Sequence, residues 1–161
     1  MKLALNCVFS VLLRLAAIAA CGSPALADTI NSFRHAHGLP PLHHSRTMQA
    51  MAQRHANSMA ARHSMDHAGF FTERGPRGAR AENVAWGCAT ESCTISVWEG
   101  SAGHRANMLL SGICSYGMAS ATSGGRRYWC LDLGPWPIAP HCALAALVQQ
   151  QPDSPNESEY Y

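Results

Sequence analysis

The sequence predicts a single α+β domain on three observations. Helical periodicity dominates the front of the chain, a glycine-centred hairpin closes it, and 161 residues suffice for one packed core but not comfortably for two. Thr29 to His37 reads as a short helix ending at Gly38, with Leu39-Pro40-Pro41-Leu42 as a rigid turn. Ser45 occupies an N-cap position for a second helix running to about Arg62. Its Met48, Met51, Ala52, Ala56 and Met59 recur at helical spacing, which makes that stripe core. His63 to Ala79 lacks periodicity and carries Gly69, Gly75, Pro76 and Gly78, so a long loop is expected, a kind of segment that is often functional. A third helix starts near Thr90 or Ser92 and carries Ile95, Val97 and Trp98. Gly100 to Gly103 then turns the chain toward a short helical segment holding His104 and Asn107. Tyr116 to Ala119, a turn at Ser123-Gly124-Gly125, and Tyr128 to Leu133 read as a β-hairpin. Past Gly134, Pro135, Pro137 and Pro140 exclude regular strand. Cys142 to Gln151 can form a short helix, and Pro152 to Tyr161 is polar, acidic and expected to be disordered.

The formal charge is only +2, and the basic residues are nearly all arginines dispersed along the chain. Without a dense basic block, a nucleic-acid groove is not expected. Nine histidines make the net charge sensitive to pH between roughly 5 and 8. The N-terminus reads as an export signal over residues 1–27. Lys2 gives the positive start, Leu3 to Ala20 is mostly apolar, and Ala25-Leu26-Ala27 is a small-x-small cleavage site before Asp28. Asn6 and Arg14 interrupt the apolar run, so no membrane span is expected. Ile18-Ala19-Ala20-Cys21-Gly22 offers the rival route, a bacterial lipobox with a lipid anchor at Cys21. Both routes place the domain, residues 28–134, in a secreted or periplasmic setting or tethered at the cell envelope, followed by a C-terminal extension over 135–161.

Cysteine usage fits an oxidising compartment. Cys88, Cys93, Cys114, Cys130 and Cys142 fall after the signal, and no Cys-x-x-Cys pair supports a zinc ribbon or a thioredoxin-type site. Cys88 and Cys93 can close a small loop, Cys114 and Cys130 can tie the two hairpin strands together, and Cys142 is then free or intermolecular. Sequence alone leaves this connectivity open.

Four short signatures occur in order. They are Asn31-Ser32-Phe33-Arg34 with His37 to Leu42; Ala52-Gln53-Arg54-His55-Ala56 with Ser64-Met65-Asp66-His67; Ala81-Glu82-Asn83-Val84-Ala85; and Trp98-x-x-Ser101-x-Gly103-His104-Arg105-x-Asn107. Together they resemble the CAP superfamily, or SCP domains, in its compact bacterial form, with Ala81 where glycine is usual. The resemblance implies a three-layer α/β/α sandwich around a small antiparallel sheet. It also implies a cleft lined by two histidines and two acids that has been associated with divalent metal. Carried onto this chain, His67 and His104 are the imidazoles and Glu82 is the first acid. The second acid's position holds Ser101. Zinc held by His67, Glu82 and His104, with water completing the shell, is chemically reasonable, and with one acid missing its affinity should be modest.

Each signature also has a plainer reading. Glu82 can hydrogen-bond backbone or His67, and Asn83 with Asn107 can satisfy buried loop amides. Arg105 reads as surface and Trp98 as core, while His43, His44, His55, His63 and His141 read as solvated or partly buried. Ser101 reads as a cap for the turn before His104, with Asn83, Ser101, Arg105 and Asn107 completing the cleft. No residue is assigned a catalytic role. Three function classes follow in rank: a secreted binding module for a lipid, peptide or protein; a metal-dependent hydrolase using water on the His67 and His104 site; and a disulfide-braced envelope component. A serine hydrolase on Ser101 and His104 ranks low, because no Gly-x-Ser-x-Gly elbow occurs.

Overall fold

The computed structural model describes residues 29–135. The expectations for the export signal, for Cys21 and for residues 136–161, Cys142 and His141 included, lie outside the described residues. Helix α1 spans Ile30–Ala36, opened by Thr29, whose side chain accepts a hydrogen bond from the Ser32 amide. The Leu42 turn is pinned to it from both sides. Asn31 donates to the Leu42 carbonyl at 3.0 Å and accepts from its amide at 2.8 Å. Strand β1 is only His43–His44. Helix α2 follows over Arg46–Arg62 with Ser45 as its cap, as the sequence predicts, and closes at His63 in the left-handed conformation.

Strand β2 (Ala81–Trp86), helices α3 (Glu91–Glu99) and α4 (Ala102–Met108), and the hairpin β3 (Ser115–Ser123) and β4 (Arg126–Gly134) complete the chain. Gly124 and Gly125, at φ 57° and 74°, make the two-residue turn that matches strand twist. The sheet order is β1-β3-β4-β2, with β3, β4 and β2 antiparallel and the two-residue β1 added in parallel to β3.

Strand alternation builds two cores. Val84, Ala119, Tyr128 and Cys130 pack against Ala52, Ala56 and Met59 of α2. Ala81, Ala85, Trp129, Leu131 and Leu133 face the other way, against Ile30 and Phe33 of α1, Ile95 and Trp98 of α3, and Met108 of α4. This is the expected three-layer arrangement. Arg34, fully buried, ties α1 to the end of α4 by donating to the Met108 and Leu110 carbonyls at 2.8 and 3.1 Å.

Cys88 and Cys93 are bonded, joining the segment after β2 to α3. The expected Cys114–Cys130 bridge does not form. Cys130 is a free buried thiol, and Cys114 is disulfide-bonded, but not to Cys130. The register explains why. Cys130 pairs with Ala119, whereas Cys114 precedes Ser115, the partner of Gly134, so the two lie about 15 Å apart along the ladder. A disulfide needs Cα atoms within about 7 Å.

Candidate functional site

Glu82 and Asn83 are neighbours on β2, so the strand sends their side chains to opposite faces. Asn83 is fully buried and donates to the His104 carbonyl at 2.9 Å. Asn107 donates to Asn83 Oδ1 at 2.9 Å and to the Glu82 carbonyl at 3.2 Å. These bonds clamp α4, and with it His104, onto β2. The two asparagines therefore position the site instead of lining it.

On the α2 side the Glu82 side chain is 1% exposed. Four groups surround its carboxylate. His67 Nδ1 lies 2.8 Å from Oε1, Arg74 Nε 2.5 Å from Oε2, the Cys130 thiol 3.5 Å from Oε2, and His55 Nε2 3.9 Å from Oε1. Of the sequence-predicted set, the structure thus brings His67 and Glu82 into direct contact. His104 comes near enough to His67 for their charges to interact. Burial first, and then His67, hold the His104 imidazole below its ordinary pKa, and its Nδ1 is buried with no hydrogen-bond partner.

Ser101 is the residue that starts α4, but its side chain makes no capping bond. Arg105 is exposed and makes only a long contact, 3.5 Å, to the Glu99 carbonyl. Trp98 is core, as expected, with its indole N–H on the Val84 carbonyl. His55, expected to be solvated or partly buried, is 4% exposed and its Nε2 lies 2.7 Å from the Asp66 carbonyl. Burial lowers its pKa, so it is a neutral donor there.

Sequence reasoning missed Arg74 and Asp132. Asp132 stands opposite Glu82 in the β2–β4 register, and Arg74, from a single helical turn at Phe70–Arg74 in the long loop, reaches both carboxyls. Neither Asp132 oxygen receives a hydrogen bond, and burial, followed by the Glu82 charge, raises the Asp132 pKa to about 8. Asp132 is therefore a neutral acid at pH 7 that can donate to Glu82, and the trio with Arg74 carries no net charge. The sequence held one signal of this, an acid inside the otherwise apolar run Tyr128 to Leu133.

Among the described residues, Glu82, Cys130 and Asp132 are the one His, Cys, Asp or Glu trio whose donor atoms all lie within 4.8 Å of one another. That spacing could hold a metal ion. The donor chemistry does not favour one, because Arg74 already supplies the positive charge, Asp132 keeps its proton, and burial pushes the Cys130 thiol well above its ordinary pKa. Among the described residues His67, Glu82 and His104, the ligand set expected from the sequence, do not come within that spacing as a trio.

Replacing Asp132 by Asn tests the proton. The unfolded aspartate ionises near 3.8, while the folded one holds its proton until about 8. Its contribution to stability is therefore full below the lower value and is lost as pH rises toward the upper one. The stability of Asp132→Asn relative to wild type should climb across that window by up to about 1.4 kcal/mol per pH unit. Urea unfolding across a pH series reads this directly, and parallel curves would mean Asp132 is ionised in the native state.

Helices on both faces of a small sheet, with His67, Glu82 and His104 gathered at the edge strand β2, define a CAP domain. The chain belongs to the cysteine-rich secretory protein family, whose pattern matches residues 27–133. Among solved structures it is similar to an outer surface protein of Borrelia burgdorferi, at 16% identity and a TM-score of 0.56, over 66% of this chain and 86% of that one. It is also similar to an extracellular SCP-domain protein of Bacillus anthracis, at 22% identity and a TM-score of 0.55, over 66% of this chain and 38% of that one. At these identities the likeness concerns the fold. No curated protein matches the chain significantly.

Proposed function

We propose that this CAP domain is an exported, non-catalytic binding module. His67 and His104 hold a divalent metal such as zinc, and the cleft around them takes a lipid, peptide or protein ligand. The observation that carries this reading is the 2.8 Å contact between His67 Nδ1 and Glu82. A carboxylate on one ring nitrogen fixes the tautomer and leaves the other, Nε2, as the metal ligand. The His67 side chain is 54% exposed while Glu82 is buried behind it, so the acid expected as a third ligand orients His67 instead. A bound metal would supply a positive anchoring charge for ligand oxygens.

Export through residues 1–27, or anchoring through Cys21, is consistent with the Cys88–Cys93 disulfide, since such bonds persist in oxidising compartments. Among the described residues no helix is long and apolar enough to cross a membrane.

The hydrolase alternative is disfavoured by the same geometry. A metal-bound water would need Glu82 as its base, yet Arg74 and His67 hold that carboxylate and exclude it from solvent. A Ser101–His104 dyad lacks its bond on Nδ1, which has no partner. Isothermal titration of the folded domain with zinc tests the proposal. Wild type should bind at one site. His67→Ala and His104→Ala should each abolish most binding, and Glu82→Gln should weaken it about tenfold or more. Absence of zinc binding, or binding indifferent to His104→Ala, would refute it.

A further inference from the structure

A pocket lies on the α2 side, next to the Glu82 cluster, and neither the His67 nor the His104 imidazole lines it. It encloses about 150 Å³ and is lined by Arg54, His55, Arg62, Glu73, Arg74 and Arg77, among others. Four guanidinium groups in one small cavity is unusual in a chain whose formal charge is only +2. Like charges brought together without a counter-ion repel one another, so what already neutralises each of them matters.

Two of the four are committed. Arg62 makes a forked pair with Asp66, both contacts 2.9 Å, and Arg74 pairs with Glu82. Even so, Arg74 keeps Nη2 buried without a hydrogen-bond partner, although its side chain is only 5% exposed. Among the described residues, Arg54 and Arg77 make no ion pair and no hydrogen bond to a side chain or carbonyl. Two free guanidinium forks therefore face one cavity with a buried, unsatisfied third beside them. Ser58, also on the wall, accepts a bond from Arg62 and keeps its own hydroxyl proton to donate.

We propose that this pocket binds a free phosphate ion, held by the Arg54 and Arg77 guanidinium groups. Guanidinium forks match the oxygens of such an anion in paired, charge-assisted bonds. The volume is below the roughly 300 Å³ of sites for drug-sized molecules, so the occupant is small, and its polar, arginine-rich wall suits an anion. Glu73 supplies selectivity. A carboxylate repels an anion that carries no proton but accepts a hydrogen bond from monohydrogen phosphate, which retains one. Sulfate and the phosphodiester of a lipid headgroup have no such proton at neutral pH. Gly69 leaves room for this carboxylate, since a Cβ there would sit 3.2 Å from the Glu73 carboxyl.

The test is titration of the folded chain with inorganic phosphate at neutral pH, followed by calorimetry and by ³¹P NMR, with sulfate as the comparison anion. Arg54, Glu73 and Arg77 are all exposed, so their variants should fold like wild type. Wild type should bind phosphate saturably, and Arg54→Ala or Arg77→Ala should weaken it about tenfold, the effect of losing one charge-assisted pair. Sulfate should bind at least about tenfold more weakly than phosphate, and Glu73→Gln should remove most of that difference. Zinc titrations of the same variants should match wild type, which separates this site from the imidazole pair. No saturable phosphate binding, or binding that both arginine variants leave unchanged, overturns the proposal. So does capture by phosphatidylglycerol vesicles without a response to free phosphate, which would make the arginines a membrane-facing surface.

Discussion

Gly117→Ala should destabilise the domain by about 3 kcal/mol or more, or prevent it from folding. A Cβ at Gly117 of β3 would lie 2.0 Å from the Gln49 amide nitrogen and 2.2 Å from the Met48 carbonyl carbon. Both obstacles are backbone of α2, so no rotamer change relieves them; the helix itself would have to lift. Lifting it opens the contact between Ala52, Ala56 and the sheet, on which the second core depends. Gly103→Ala is the control. It lies within α4 and meets nothing within 4 Å, so alanine there should be neutral or stabilise by up to about 1 kcal/mol. Urea unfolding of the two variants beside wild type measures the contrast. A Gly117→Ala protein of wild-type stability would mean that α2 stands further from the sheet than described.

Arg74→Met should cost about 3–5 kcal/mol at neutral pH, the usual penalty for leaving a buried ionic partner uncompensated. Glu82 would then share a buried site with Asp132 and have no guanidinium opposite. The loss should shrink on acidification, because a carboxyl pair without its guanidinium takes up protons more readily and becomes neutral. Adding Glu82→Gln in the same chain should restore part of the stability at pH 7, since the amide carries no charge to compensate. Thermal or urea unfolding of the single and double variants at acid and neutral pH distinguishes this from a packing defect, which would be the same at every pH and would not respond to Glu82→Gln.

Local signals made much of the fold legible. Ser45 caps α2, the Met and Ala stripe does face the core, and Gly124-Gly125 does turn the hairpin. Strand β2 reads in the sequence as a signature and not as a strand, because Glu82 and Asn83 put a polar residue on each face and erase the apolar alternation. Arg74 and Asp132 were illegible as partners for a different reason. Their meeting depends on strand register and on the path of a loop, and neither is written in local sequence. The Cys114–Cys130 expectation failed on the same point, since closeness to a hairpin says nothing about which residues stand opposite. His67, Glu82 and His104 were legible only as family signatures, with nothing in their spacing to show that Glu82 would lie behind His67.

β2 is an edge strand, paired with β4 alone. Exposed edges invite strand addition by a second chain, the first step of many aggregates. Here two backbone acceptors of that strand are already taken, Glu82 by the Asn107 amide and Val84 by the Trp98 indole. The contacts that hold α3 and α4 in place thus also deny an incoming strand part of its ladder, and the domain gains protection against self-assembly from its own site architecture.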